Sequence, residues 1–247
     1  MKKIFFIIVM IQNIISAQII NIPDTNFKDY LIHASEPGYY SVAGVGSVNF
    51  NQPASYVGID TNHDNQIDQS EAQAITYLNL ASPTPQHQIM DLTGLEYFTN
   101  LISFSCQGHL NLNTMNLTGL TNLVYLGIDH TNMGNINLSN LINLQFLDCS
   151  YSNRLFINLS NFTQLKYFKC SNNIIWQLNF YNLPNLQLVN CSDNKLYTLD
   201  FTNAPMLNDL SCKNNPNLTT IKIKNGIQHL PRTSQNFQEC IDRKSVV

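Results

Sequence analysis

The chain predicts a solenoid of short parallel strands, and three observations carry that expectation. The phrase L-x-x-L-x-(C/L/I) recurs seven times, and its four clean copies, Leu144–Cys149, Leu165–Cys170, Leu186–Cys191 and Leu207–Cys212, begin 21 residues apart. Weaker copies precede them at Ile75–Leu80, Leu101–Cys106 and Leu123–Ile128. A fixed period near 20 residues marks units that cannot bury an apolar face alone and must stack on their neighbours. Each repeat also carries a second apolar triplet, such as Ile175/Leu178/Phe180, Leu196/Leu199/Phe201 and Leu218/Ile221/Ile223. Between the two lies an Asn three residues after the Cys slot, at Asn173, Asn194 and Asn215, with Ser152, Thr131 and His109 as substitutes. Stacked coils leave inward-pointing backbone groups that water cannot reach, and a side-chain amide offers both donors and an acceptor to them.

At the N-terminus, Met1-Lys2-Lys3 is basic, Ile4 to Ile11 is apolar, and Ile15-Ser16-Ala17 ends in a small residue. This pattern predicts a secretory signal peptide over residues 1–17, cut after Ala17. No later stretch approaches the length of a membrane-spanning helix, so the mature protein is expected to be exported, without a membrane span, and monomeric. With 13 basic against 16 acidic residues, the charge gives no case for binding nucleic acid or an anionic membrane. Asn-x-Ser triplets such as those at Asn137 and Asn158 are expected in so Asn- and Ser-rich a repeat, and matter only in a eukaryotic host.

Residues 18–58 read as an N-terminal cap. Pro23-Asp24-Thr25-Asn26-Phe27-Lys28-Asp29-Tyr30-Leu31 combines a capping Asp or Thr with apolar residues at i, i+3 and i+4, which predicts a short helix closing the solenoid. A loop rich in Gly, Ser and Tyr is expected from Ser35 to about Ser55. Residues 59–72 hold the segment Asp60-Thr-Asn62-His-Asp64-Asn-Gln66-Ile-Asp68-Gln-Ser-Glu71, with oxygen donors at positions 1, 3, 5, 9 and 12. Alternate side chains of a tight loop suit a hard cation that takes six to eight oxygens.

That segment resembles an EF-hand calcium loop. The resemblance implies side-chain oxygens from Asp60, Asn62, Asp64 and Asp68 on Ca2+, a carbonyl from Gln66, and a bidentate Glu71. It departs from the family at Asn65, where Gly is the rule, although Asn is the non-Gly residue that best tolerates a left-handed backbone. No second hand is evident, so a structural calcium site is expected; the competing reading is an acidic Asx-turn between cap and first strand.

Residues 73–225 resemble the leucine-rich repeat superfamily, and the 21-residue length with Cys in the strand is most similar to the internalin J-like cysteine-ladder repeats. The resemblance implies a right-handed coil with its parallel strands on the concave face. Seven strands at about 4.8 Å spacing give a sheet about 30 Å across. The 26-residue step after Ile75 contains Pro83 and Pro85, which cannot donate to a ladder, and predicts a surface loop. Cys106, Cys149, Cys170, Cys191 and Cys212 fall in the inward slot. Strand spacing exceeds the Cβ separation of about 3.8 Å that a disulfide prefers, and a parallel ladder does not converge into a tetrahedron. Buried free thiols acting as small apolar residues are expected, with Cys240 unassigned.

The third position of each strand is expected to face the concave surface: Tyr77, Ser103, Tyr125, Phe146, Tyr167, Leu188 and Asp209. Tyr77, Tyr125, Phe146, Tyr167 and Leu188 are the candidate ligand-binding strip, flanked by Lys166, Lys169, Asp148 and Asp129. Aromatic strips of this kind serve interfaces, and equally stabilise a ladder by lateral packing. The six histidines show no ligand spacing, and no H-E-x-x-H, G-x-S-x-G or phosphate-binding loop occurs. The expected function is therefore a non-catalytic binding or adhesion module, secreted or at a bacterial cell surface, recognising a protein or polysaccharide. The alternatives are a structural surface or matrix component and an enzyme inhibitor on the same scaffold. Signal, cap, calcium loop and repeats together resemble exported flavobacterial (Bacteroidetes) leucine-rich repeat proteins. Those often end in a type IX sorting domain; residues 226–247 show none, so a short member or a truncated reading frame is expected.

Overall fold

The computed structural model describes residues 18–37, 39, 41–46, 52–82, 87–134, 136–154, 156–223 and, as backbone only, 245–246. The signal peptide expected over 1–17, the Pro83/Pro85 loop and Cys240 lie outside the described residues. Helix α1 (Thr25–Ile32) starts because the Asp24 side chain accepts the Phe27 amide at 2.9 Å, and it buries Phe27, Tyr30 and Leu31. Asp24 works twice, since its other oxygen accepts the amides of Met90 and Asp91 and ties the cap to the first coil.

The expected loop between α1 and the acidic segment is instead a hairpin in part. Strands β1 (Val42–Val45) and β2 (Ser55–Val57) pair antiparallel. Gly44 permits it: a Cβ there would overlap Pro53. The Gly/Ser/Tyr composition suggested a loop, whereas Val42-Ala43 and Tyr56-Val57 supply enough strand-forming surface to extend the sheet edge. Helix α2 (Gln69–Ala74) follows the acidic segment, held by a reciprocal capping box between Asp68 and Glu71.

Strands β3 (Tyr77–Asn79), β4 (Ser103–Ser105), β5 (Tyr125–Gly127), β6 (Phe146–Asp148), β7 (Tyr167–Lys169) and β8 (Leu188–Asn190) are each three residues long. Then come β9 (Thr198–Phe201), β10 (Asp209–Ser211), β11 (Thr220–Ile223) and β12 (Ser245–Val246). Nine strands form one sheet in the order β10-β8-β7-β6-β5-β4-β3-β1-β2, and β12-β11-β9 form a second. The seven repeat strands pair parallel in the register Tyr77, Ser103, Tyr125, Phe146, Tyr167, Leu188, Asp209. This is the expected column, and the molecule is a leucine-rich repeat solenoid. Leu78, Phe104, Leu126, Leu147, Phe168, Val189 and Leu210 point into a continuous core that also holds the second triplets.

Inside each coil the Asn column satisfies the turn. Asn194 shares its Nδ2 donors among the carbonyls of Cys170 (2.9 Å), Cys191 (3.2 Å) and Ser192 (3.0 Å), while its Oδ1 accepts the Ile175 amide at 3.0 Å. Asn173 and Asn215 repeat the arrangement one coil before and one coil after. The residue before each column position is left-handed: Gly108, His130, Tyr151, Asn172, Asp193 and Asn214 all have positive φ. At Gly108 a Cβ would collide with the Ser82 carbonyl, so only glycine fits. His109 takes the column role as expected, with Nε2 donating to Leu80 O (2.6 Å) and Nδ1 accepting the Ile89 amide (3.0 Å).

Cys106, Cys149, Cys170 and Cys191 are buried free thiols. Burial pushes Cys149 and Cys191 up to about 12 and raises Cys106 and Cys170 as well. Cys212 corrects the expectation: it is disulfide-bonded. Strand spacing bars a bond between neighbouring rungs, but not one to a cysteine elsewhere in the chain.

Asn194→Ala leaves buried carbonyls and an amide without partners, and urea unfolding should show a loss of about 3 kcal/mol or more. His109 can play its part only as the neutral ring, and burial lowers its pKa below 6.5. Its contribution is complete above the unfolded value and is lost as pH falls through the folded value. Thermal unfolding should therefore weaken from pH 7 to pH 5 in the wild type, and His109→Asn should flatten that slope.

Candidate functional site

The first residues of successive strands build the candidate site on the open face of the large sheet. Tyr125 and Phe146 stack with centroids 4.4 Å apart and planes 9° apart. Phe146 meets Tyr167 at 6.3 Å and a 40° tilt, and Leu188 continues the row. All four are half-buried. Their alignment follows from the parallel register, which places each over its counterpart one strand away. The Tyr167 hydroxyl donates to Gln187 Oε1 at 3.2 Å, which fixes the rim of the row.

The third residues of β6 and β7, Asp148 and Lys169, supply charge beside the rings. Lys169 Nζ lies 5.5 Å from the Phe146 centroid, within reach of a cation–π contact, and 3.8 Å from Asp148. Burial, reinforced by the nearby Asp129 charge, holds the Asp148 carboxyl above its ordinary range despite Lys169. Burial likewise raises the Tyr125 phenol, so the ring presents a neutral hydroxyl at any physiological pH. At the edge of the face, His130 stacks on Tyr151 at 4.2 Å and bonds Asp129 at 2.9 Å.

Of the five candidate residues, Tyr77 stands apart from this row, and the column positions Ser103 and Asp209 lie outside it too. Tyr77 is 3% exposed, packed edge-on against Tyr56 of β2 at 6.2 Å, because the hairpin covers the β3 end of the sheet. Ser103 is fully buried and interrupts the row, whereas Asp209 is exposed at its far end. The accessible strip thus runs from Tyr125 to Leu188. The hairpin hid Tyr77 from a sequence reading, since the repeat pattern carries no signal of what lies beyond its first strand.

The acidic loop folds on itself. Asp60 accepts the amides of Asp64 (3.2 Å) and Asn65 (3.0 Å), Asn62 Oδ1 accepts Asp64 N (2.9 Å), and Asp64 Oδ1 accepts Gln66 N (2.8 Å). Asn65 has φ of 60°, the left-handed conformation expected where the EF-hand pattern has Gly. These bonds bring Asp60, Asn62 and Asp64 onto one turn. Asp68 and Glu71 are engaged differently. Asp68 caps α2 through Ser70 and Glu71, and the Ser70 hydroxyl with those amides lowers its pKa. Glu71 accepts from Thr61 N and Oγ1 and from the Asp68 amide. The Gln66 amide joins the turn, and the next residue's carbonyl is taken by Ile20. Among the described residues no group of three or more His, Cys, Asp or Glu is arranged to hold a metal.

The described residues contain no helix long and apolar enough to cross a membrane. Sequence reasoning also passed over Arg154, which occupies the slot that Met133, Ile175 and Leu196 fill in neighbouring coils; the repeat alignment itself carried that signal.

No protein-family model and no curated protein matches the chain. Solved structures do. Internalin C2 from Listeria monocytogenes is 18% identical with a TM-score of 0.55, covering 91% of this chain and 94% of that one. The leucine-rich repeat domain of APL1B is 17% identical with a TM-score of 0.50, covering 57% and 45%. The functional domain of InlJ from Listeria monocytogenes, which includes a cysteine ladder, is 20% identical with a TM-score of 0.49, covering 64% and 46%. The chain thus spans less than half of the latter two. At these identities the first two likenesses speak for the leucine-rich repeat fold alone.

Proposed function

We propose that this protein is a non-catalytic binding module, secreted or held at a bacterial cell surface, that recognises a protein or polysaccharide through the open sheet face as a monomer. The observation that carries the reading is the strip Tyr125–Phe146–Tyr167–Leu188 with Lys169 and Asp148 beside it. Rigid aromatic rings lose little conformational freedom on binding and cover much area, so they concentrate affinity. The export part of the proposal rests on the N-terminal Lys-Lys and apolar run, and the bacterial part on the overall sequence resemblance. A second reading, a structural surface component, is favoured by the close Tyr125–Phe146 stack, which by itself stabilises the ladder.

A calcium ion is proposed to reinforce the acidic loop. Asp60, Asn62 and Asp64 each accept backbone amides yet keep lone pairs on the same turn, and the Gln66 carbonyl lies in the same segment. Asp68 and Glu71 would complete the oxygen set at the start of α2, where they now serve the capping box. The ion would supply positive charge to a cluster of carboxylates and thereby stability, not chemistry.

Two experiments test these readings. In a binding screen of the intact chain against proteins and polysaccharides, any ligand found should lose affinity by about 30-fold or more with Phe146→Ala, the scale of an interface hot spot. A ligand indifferent to Phe146, Tyr125 and Tyr167 together would transfer support to the structural reading. For the metal, calcium should raise the melting temperature of the wild type. Asp64→Asn keeps an acceptor for Gln66 N, so it should leave the calcium-free melting temperature nearly unchanged while shrinking the calcium shift; an equal shift in both proteins rules the site out.

A further inference from the structure

Arg154 is 1% exposed and heads the fully buried side chains by volume among the described residues. It lies two residues after the Asn-column position Ser152, where neighbouring coils bury Met133, Ile175 and Leu196 completely. Its Nε and Nη2 are buried with no hydrogen-bond partner. The ion pairs among the described residues join other groups: His33–Asp29, His130–Asp129, Lys169–Asp148 and Lys222–Asp200. A guanidinium keeps its proton in proteins, so this charge cannot be relieved by neutralisation, as a buried Lys could be. A cation in such a place calls for a counter-charge.

The same side chain lines a cavity of about 420 Å³ between two successive coils. Ile136 and Leu138 come from one coil and Phe156, Asn158 and Phe162 from the next, and no Asp or Glu is among the lining residues. Ile136, Leu138, Phe156, Ile157 and Phe162 give the cavity apolar walls, Asn137, Ser139, Asn158 and Asn161 add neutral polar groups, and Arg154 is its one charged member. Nε and Nη2 form one edge of the guanidinium, the edge that meets a carboxylate through two parallel N–H···O bonds; they are covered in the ligand-free protein, so binding requires the side chain to turn this edge toward the cavity. A volume of this size suits a small organic molecule.

We propose that the cavity binds a small organic monocarboxylate, with the Arg154 guanidinium pairing the carboxylate and the apolar walls covering the body of the ligand. One guanidinium balances one negative charge; a phosphate dianion would leave a charge unmatched, since the other lining residues are all neutral. The cavity lining contains no residue of β5 to β8, so the site is independent of the sheet-face strip, and either can fail without the other.

The test uses the full chain, thermal shift and calorimetry, with benzoate as the probe and benzamide as its neutral counterpart. Benzoate should raise the melting temperature in a concentration-dependent way, and benzamide at equal concentration should not. Arg154→Met, which installs the residue found at Met133, should abolish the benzoate shift while leaving the ligand-free melting temperature equal or higher. Phe156 is 56% exposed, so Phe156→Asp spares the core; its carboxylate at the cavity should raise the ligand-free melting temperature and cancel the benzoate shift. This second variant decides the matter if Arg154→Met does not fold. Acetyl-glycyl-phenylalanine, with a free C-terminal carboxylate, forms a further arm: tighter binding than benzoate assigns the site to a peptide terminus, and weaker binding to a free acid. Absence of binding by both carboxylates, or an equal benzoate shift in wild type and either variant, overturns the proposal.

Discussion

The coil depends on satisfying buried backbone at one tight turn, and the Asn column does it. After each of the strands β4 to β8 and after β10 the chain reverses through a left-handed residue, and the carbonyls on either side of that corner face the interior. A single amide group can serve three carbonyls in two adjacent coils and accept an amide from the earlier one, as Asn194 and Asn215 do. Because the donors reach back to the preceding coil, the same side chain that closes its own turn also sets the stagger between coils. The in-register sheet follows, and so does the alignment of Tyr125, Phe146 and Tyr167. The candidate binding strip is thus positioned by groups that lie on the other side of the strands. Where the column departs from Asn the logic persists: the Thr131 and Ser152 hydroxyls both donate to the Ile128 carbonyl, and His109 reproduces the donor and acceptor with two ring nitrogens.

The cysteines gain their meaning from the same geometry. A slot pressed between the strand and the second triplet of each coil has room for a small apolar side chain, and Cys fills it without placing an obligatory polar group inside. Thiolates there would be unpaired buried anions, so burial keeps Cys106, Cys149, Cys170 and Cys191 protonated and unreactive. Cys212 follows β10, the last strand of the large sheet among the described residues. It is disulfide-bonded, unlike the four thiols of the earlier rungs.

Much of the fold was legible because a repeat multiplies weak signals. One L-Q-F-L-D-C is ambiguous; seven repeats of the phrase define strand positions, inward slots and the cross-strand column. The α1 start at Asp24 was legible for a different reason, since a capping carboxylate followed by an amphipathic turn is a local code. What could not be read lay where local and repeat information both end. Nothing in Val42-Ala43-Gly44-Val45 announces that it will pair with β3, because that pairing spans 30 or more residues and is selected by the exposed sheet edge. The burial of Tyr77 is a consequence of that pairing. In the acidic loop, the Asx bonds were foreseeable from spacing, but the assignment of Asp68 and Glu71 to a capping box depended on α2 forming immediately after, a competition between helix and ligand roles that the same residues can fill.

Arg154 shows how a repeat can be read against itself. The period says what a slot requires, so a residue that violates the requirement is informative in a way that no isolated residue is. At the strip, variation from Phe146 to Leu188 to Asp209 is permitted because the open face imposes no strict packing rule. At the slot of Met133, Ile175 and Leu196 the packing rule is strict, and a guanidinium there opposes the burial that holds the coil together. Such an opposition persists only if the rest of the coil over-determines the position. Here the Arg154 amide is bound to Asn173 Oδ1 at 2.9 Å and its carbonyl accepts Ile174 N at 3.0 Å, so the backbone is held by the column whatever the side chain prefers. The interaction that makes the solenoid regular is therefore also what allows one coil to carry a charge inside it.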